Sequence, residues 1–243
     1  MDILLTNVRW LSEEKTFLQM LRFVTEERRE RILRCRSMTD RARGLGAGLL
    51  LEYGLRRRGM TLLSDAAGYR QVRSGKGPYG KPYLPGEPGI CFNLSHAGDY
   101  AAAVFAGMEA GIDIERIRPV NKSLADRFFA ETEAAYIGQC AEAGEGDLAF
   151  TRIWTRKESA VKAAGEGMHL PLHFFCVLED EISLLPVRTA EGGHDTAEEG
   201  DRPGTVWQAD GYGFYTSESP DGYILSVCAA RADRKDVIRT AVR

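Results

Sequence analysis

Gly111-Ile112-Asp113-Ile114-Glu115 constrains this chain more than any other segment. On a strand, alternate residues share a face, so Ile112 and Ile114 point one way while Asp113 and Glu115 point the other. The isoleucines require a core, which places the segment in a sheet covered on that side. Same-face neighbours start about 6–7 Å apart, and at an effective dielectric near 20 two such carboxylates repel by roughly 2–3 kcal/mol. A cation between them removes that cost. Oxygen-only donors favour a hard ion, and Mg²⁺ with phosphate oxygens and waters completing its shell fits best. A solvated strand edge is the plainer alternative for an Asp-x-Glu pair.

A second segment adds to the first. In Trp154-Thr-Arg-Lys-Glu-Ser-Ala-Val-Lys162, Trp154, Glu158 and Lys162 recur every four residues, and Ile153, Ala160, Val161 and Ala164 form an apolar stripe. Glu158 lies at the margin of that stripe. It can serve as a third metal ligand or a general base, with Lys162 neutralising phosphate charge. A routine surface ion pair at i,i+4, worth a few tenths of a kcal/mol, is the competing explanation.

The 243 residues suffice for one large domain or two small ones. A formal net charge of -3 argues against a protein that coats nucleic acid, although residues 22–43 carry eight arginines against four acids, a local anion site in prospect. Five scattered cysteines without a Cys-x-x-Cys pair fit reduced thiols in the cytoplasm, not a disulfide framework or zinc site. The opening MDILLTNVRW does not read as a signal peptide, and no apolar run reaches the roughly 18 residues that spanning a membrane needs.

The pattern predicts a strand at Ile3–Val8, a helix over Ser12–Arg36, and a second helix capped by Thr39 or Asp40 and running to about Arg57. Arg73–Gly89 is dense in glycine and proline and predicts loop or turns. Strands follow at Ile90–Leu94 and Tyr100–Ala106, then the Asp113 strand. Helices are expected over Ser123–Ala130, from about Glu131, and over Asp147–Ala164. Thr189–Gly204 reads as a solvated acidic loop, and strands return at Trp207–Tyr215 and Tyr223–Ala229. Each half runs strand, helices, strands, a weak internal duplication with its boundary near Gly107–Gly111.

Ser95 and His96 follow an apolar strand, where the histidine can donate to phosphate or merely cap a loop. A Ser-His hydrolase is disfavoured because adjacent residues cannot easily form the nucleophile–base bond and no Gly-x-Ser-x-Gly occurs. Pro171 spoils His169 and His173 as a helical metal pair. Gly44-Leu-Gly-Ala-Gly48 mimics a dinucleotide fingerprint but lies inside a helical pattern.

Together these segments resemble the Sfp-type 4'-phosphopantetheinyl transferases. The resemblance rests on Tyr79–Pro82 (YGKP), Phe92–Tyr100 (FNLSHAGDY), GIDIE, Arg127–Glu133 (RFFAETE) and Trp154–Leu172 (WTRKESAVKAAGEGMHLPL), in the family's order and spacing. It covers residues 79–172 most closely. It implies an α/β (α+β) monomer of two pseudo-symmetric halves, 1–108 and 109–243, with coenzyme A in the cleft between them. It implies transfer of phosphopantetheine from coenzyme A to a serine of an apo acyl- or peptidyl-carrier protein, releasing 3',5'-ADP. Asp113, Glu115 and Glu158 would hold Mg²⁺, with Mn²⁺ as a substitute, and Glu133 matches a further acidic position. Glu158, Lys162 and His96 would serve catalysis, Lys162 and His96 at the phosphates and Glu158 as base toward the serine. Arg28, Arg31 and Arg43 match basic positions at the 3'-phosphate, although Cys35, Met38 and Gly44 depart from the family's residues nearby. Tyr79, Gly80, Lys81, Pro82 and Ser95 would line the adenine and ribose pocket. Arg118, Lys122, Leu124, Arg127 and Phe128 are expected to meet the acidic, apolar recognition helix of the carrier, with a solvated helix start as the alternative. Two rival functions are a Mg²⁺-dependent nuclease, in which the lysine normally follows the acid by two residues, and a non-catalytic carrier-binding module.

Overall fold

A computed structural model describes residues 1–64, 66–180, 183–184, 212–219, 221–230 and 238–241. The expected acidic loop at 189–204, and the start of the strand expected from Trp207, lie outside these residues.

The chain opens with β1 (Asp2–Asn7), then α1 (Glu14–Met20), α2 (Glu26–Leu33) and α3 (Met38–Arg56). The single helix expected over Ser12–Arg36 is therefore two. A 3-10 turn at Leu21–Phe23 ends in extended backbone at Val24, and the Thr25 hydroxyl accepts the Arg28 N–H at 3.4 Å to start α2 afresh. Ser37, not Thr39 or Asp40, caps α3: its Oγ accepts the Asp40 N–H at 3.0 Å. The glycines of 44–48 are packing residues within α3. A Cβ on Gly46 would lie 2.4 Å from Val8, and one on Gly48 would lie 2.5 Å from Arg28.

β2 (Cys91–Ala97), β3 (Tyr100–Ala106) and β4 (Ala110–Arg116) follow, then α4 (Lys122–Phe128), α5 (Glu131–Glu142) and α6 (Gly146–Ala164). The last strands are β5 (Tyr212–Ser219), β6 (Tyr223–Ala230) and β7 (Ile238–Ala241). The two larger sheets have the orders β7-β1-β3-β2 and β5-β6-β4, beside three two-stranded ladders. Because β7 pairs in parallel with β1, the division at residue 108 is crossed by the returning chain.

Alternation along the strands builds three cores. Leu4, Ala101, Ala103 and Phe105 pack with Leu45, Leu50 and Leu55 of α3. Ile3, Ala102 and Val104 instead meet Ile112, Ile114, Leu225 and Val227 of the second sheet. Cys228 and Phe214 pack with Phe150, Ile153 and Ala160 of α6. The layers thus run helix, sheet, sheet, helix, and Ile112 and Ile114 occupy the interior that their alternation demanded.

Among the described residues β4 is an edge strand whose N–H groups at Ile112 and Ile114 find no further strand of their own sheet. Side chains from β2 take them. Asn93 Oδ1 accepts the Ile112 N–H at 3.1 Å, and Ser95 Oγ accepts that of Ile114 at 3.4 Å. The Asn-x-Ser spacing of β2 therefore stitches the two sheets along one seam.

Gly111, Asp113 and Glu115 face α6. A Cβ built on Gly111 would stand 2.1 Å from the Ser159 carbonyl oxygen and 2.4 Å from the Ala163 nitrogen, so only glycine admits α6 this close. Thr155 on α6 and Ser226 on β6 share a buried hydroxyl hydrogen bond at 2.8 Å, pinning the helix at that depth. Gly111→Ala is expected to cost about 2–3 kcal/mol by overpacking, read from denaturant unfolding, because the obstruction is backbone and cannot rotate away. A loss below roughly 0.5 kcal/mol would mean that the contact does not fix the helix.

Candidate active site

The close approach brings α6 over the acids of β4. Lys162 Nζ lies 2.6 Å from Asp113 Oδ1 and donates also to Ser95 Oγ and the Ile112 carbonyl, each at 3.2 Å. Ser95 Oγ in turn donates to Asp113 Oδ1 at 2.9 Å. One oxygen of Asp113 is thus doubly engaged, while Oδ2 is buried without a partner. Among the described residues only two other buried side-chain polar atoms lack a partner, Arg43 Nε and Arg118 Nε. All three belong to this neighbourhood. Buried polar atoms are ordinarily satisfied, so the orphaned Asp113 Oδ2, which lies in the cleft lining, suits a cation.

Glu115 and Glu158 carry the signature of the same cluster. Burial, then the charge of Asp113, pushes Glu158 above the ordinary carboxylate range; Lys162 and Arg118 oppose the rise and Glu115 adds to it. Glu115 is raised by burial and Asp113, against Arg118 and Lys162. Three carboxylates with one committed lysine leave excess negative charge, which a cation would neutralise. Among the described residues no group of three His, Cys, Asp or Glu side chains stands close enough to enclose an ion alone. The donor set fits a hard cation that takes the rest of its shell from phosphate and water, as Mg²⁺ does.

Asp113, Glu115, Glu158, Lys162, Ser95 and His96 line one cleft of about 760 Å³, whose far wall carries Arg28 and Arg31. Among the described residues Arg28 makes no ion pair; lost hydration, then Arg31, pushes it down to about 10, still cationic at neutral pH. Although solvent reaches His96, loss of hydration in the cleft, then Arg43 and Lys162, holds its imidazole below the usual value, against Asp40. The cleft carries Arg28 and Arg31 together with the acids Asp113, Glu115 and Glu158.

Tyr79, Gly80, Lys81 and Pro82 line an adjoining groove of about 270 Å³ that shares Glu158 and Lys162 with the cleft. The Tyr79 ring lies 4.9 Å from that of His169, while His173 packs on Phe174. Lys81 does not offer its ammonium to this groove: it pairs with Glu109 and donates to the Ala163 carbonyl at 2.7 Å. Arg43 pairs with Asp40 at the edge of the cleft and does not itself line it.

Glu133 is not at the site. It is fully buried under α5, its Oε2 2.8 Å from Lys157 Nζ and accepting the Ala130 N–H at 2.8 Å, while Oε1 accepts the Val177 N–H at 2.9 Å. Lys157 completes its own shell with the Leu172 and Phe175 carbonyls, both at 2.7 Å. Committed to Lys157 and to two backbone N–H groups away from the cleft, Glu133 joins α5 to α6 and does not line the site. The expectation failed because sequence spacing could not reveal that Lys157 turns away from Glu158 into the core.

Of the residues assigned to a carrier surface, Lys122 and Arg127 are exposed on α4, while Leu124 and Phe128 are partly buried against the core beneath. Arg118 differs. Its guanidinium lies 5.4 Å from the centre of the Trp154 ring, its backbone N–H bonds Thr151 Oγ1 at 3.3 Å, and its charge bears on Glu115 and Glu158. It belongs at least as much to the acid cluster as to α4. Asn93 was missed; its signal was the placement of Asn and Ser two apart on one strand.

A cleft that pairs a hard-cation acid cluster with Arg28 and Arg31 suits a phosphorylated ligand. The comparisons with known proteins agree. Residues 8–108 match the family model described as 4'-phosphopantetheinyl transferase, N-terminal, and residues 109–228 match the 4'-phosphopantetheinyl transferase superfamily. The 4'-phosphopantetheinyl transferase ffp of Bacillus subtilis is 31% identical over 225 residues, covering 93% of this chain and 90% of its own. The 4'-phosphopantetheinyl transferase Sfp of Bacillus subtilis strain 168 is 30% identical with the same coverage. The 4'-phosphopantetheinyl transferase AcpT of Salmonella typhi reaches 45% over 93 residues, 37% of this chain and 47% of its own. The chain belongs to the 4'-phosphopantetheinyl transferase family. A crystal structure of Thermotoga maritima holo-[acyl-carrier-protein] synthase overlaps 50% of the chain and 61% of its own with a TM-score of 0.34 at 15% identity, too partial to carry an argument. Membership displaces the nuclease reading. Among the described residues no helix is long and apolar enough to cross a membrane.

A raised carboxyl pKa means that the fold binds the proton more tightly than the unfolded chain does. The stability of the metal-free protein should therefore fall as pH rises through the window between the ordinary and the raised values of Glu115 and Glu158. Mg²⁺ must displace those protons, so its stabilisation should grow through the same window. We expect a larger Mg²⁺-induced rise in Tm near about pH 7.5 than near about pH 5; an equal rise would place the ion elsewhere. For Glu133, Glu133→Ala is expected to cost about 3–5 kcal/mol of stability by stranding Lys157. The double change Glu133→Leu with Lys157→Met should keep the Mg²⁺ response. Its loss would restore Glu133 to the metal site.

Proposed function

We propose that the chain transfers 4'-phosphopantetheine from coenzyme A to a serine of an apo acyl- or peptidyl-carrier protein, in the presence of Mg²⁺ or Mn²⁺. The observation that carries the reading is the convergence of Asp113, Glu115, Glu158 and Lys162 from β4 and α6 upon one cleft opposite Arg28 and Arg31. The residues up to about 108 supply the nucleotide wall and those after it the acids.

Arg28 and Arg31 bind the 3'-phosphate, a dianion suited to two guanidinium groups. Tyr79, Gly80 and Pro82 seat the adenosine, with Lys81 contributing backbone and stem while its ammonium holds Glu109. His96 and Lys162 donate to the pyrophosphate. A divalent cation held by Asp113, Glu115 and Glu158 would neutralise charge on the pyrophosphate. Ser95 holds Asp113 and the Lys162 ammonium in register, so it orders the site and lies behind the ligand.

The carrier serine oxygen attacks the phosphorus bearing the pantetheine; its proton passes to Glu158, directly or through water, and the bond to 3',5'-ADP breaks. Glu158 lines the cleft beside Lys162, where a carboxylate can accept the proton of a hydroxyl. Lys162, facing the leaving group, offsets the charge that develops there. Lys122 and Arg127 on α4 present two exposed cations to the carrier.

Incubated with coenzyme A, Mg²⁺ and a panel of unrelated apo carriers, the protein should add one phosphopantetheine to at least one of them by intact mass. Silence across the panel would refute the activity. Asp113→Ala and Glu158→Ala should each lower transfer by about a hundredfold or more with the fold retained. Reversal of Lys122 and Arg127 to Glu should raise the KM for carrier severalfold; an unchanged KM would move the docking surface elsewhere.

A further inference from the structure

Behind Arg28 and Arg31 lies a second cavity, of about 340 Å³, whose lining adds Glu27 and Lys76 to those arginines. Lys76 stands on a two-residue strand, Gly75–Lys76, that ladders with Pro82–Tyr83 and so belongs to the hairpin presenting Tyr79–Pro82. Its Nζ lies 3.1 Å from Glu27 Oε1, and Arg31 Nη2 lies 3.7 Å from the same oxygen. One carboxylate oxygen therefore bridges two cations from different elements. Lys76, ahead of Arg31 and Arg28, holds Glu27 below the ordinary carboxylate range.

The three cations Arg28, Arg31 and Lys76 face this single acid, leaving two positive charges uncompensated. Arg28 is the most burdened, since it is half-buried, loses hydration there and makes no ion pair among the described residues. A cation withdrawn from water without a partner is costly, so an anion arriving from solvent gains there. The charge left over matches a phosphate monoester dianion. Ser74 and Thr25, also in the lining, keep the wall polar.

We propose that Lys76 is a third cation for the 3'-phosphate of coenzyme A, and that Glu27 is the resident counter-ion which this phosphate displaces from between Lys76 and Arg31. The inference rests on the transferase reading for the identity of the ligand; the charge arrangement itself does not. It makes the hairpin an anion-responsive element: the phosphate that binds α2 also draws in the strand that frames the adenosine groove.

The test compares two donors that differ by one group, coenzyme A and dephospho-coenzyme A, in steady-state transfer by the full chain. Wild type should prefer coenzyme A, and Lys76→Ala should cut the preference about five- to tenfold through KM rather than kcat. Glu27→Gln should hold or increase it, because the competing carboxylate is gone. An equal loss with both donors would make Lys76 a latch for the hairpin only and overturn the proposal, as would an unchanged ratio. Calorimetric binding of adenosine 3',5'-bisphosphate against adenosine 5'-monophosphate reads the same preference without turnover. A wild type that binds the bisphosphate preferentially through Lys76 but transfers nothing would sink the proposed function and leave this inference standing. Equal binding of the two nucleotides would overturn the inference.

Discussion

The contact between α6 and β4 at Gly111 is the constraint on which the site depends. A side chain there would strike the helix backbone at Ser159 and Ala163. With none, α6 settles far enough for Lys162 to reach Asp113 and for Glu158 to share its cleft with Glu115. The spacing of these side chains is thus set by backbone packing, and the buried Thr155–Ser226 hydrogen bond secures α6 to the neighbouring strand on the same face. The seam made by Asn93 and Ser95 then carries the first sheet, with His96, to the same place.

The second organising fact is charge placed against its own interest. On the acid wall Glu115 and Glu158 are raised because negative charge is crowded and partly dry. Elsewhere in the cleft Arg28 and His96 are lowered, chiefly by lost hydration and then by neighbouring cations. Neither wall relieves the other across a cleft of this size. A ligand carrying phosphates, together with a divalent cation, complements both at once. Crowded charge of both signs around one cleft, with the unpartnered Asp113 Oδ2 in its lining, is the mark of a site built for an occupant and not for stability.

Much of this was legible in the residues. Alternation in GIDIE fixed both the core face and the acid face of β4, and the four-residue recurrence of Trp154, Glu158 and Lys162 fixed the face of α6. The glycines at 44–48 were correctly kept from nucleotide binding, and they turn out to be close-packing positions. Other features depend on partners distant in sequence. Nothing local marks Lys157 as a core residue paired with Glu133, since that pairing needs α5 and the Leu172–Phe175 turns in place. Nor does the run Ser12–Arg36 disclose its break at Val24, where continuous helical periodicity yields to the cap at Thr25. Lys76, in a segment read only as loop, gains meaning from Glu27 across 49 positions.

Anomalous diffraction from crystals grown with Mn²⁺ and coenzyme A tests the central claim most directly. The account predicts a manganese peak within coordination distance of Asp113, Glu115 and Glu158, with the pyrophosphate on its open side and Lys162 in contact with phosphate oxygen. A peak elsewhere, or a bound coenzyme whose pyrophosphate lies away from those three carboxylates, would contradict it.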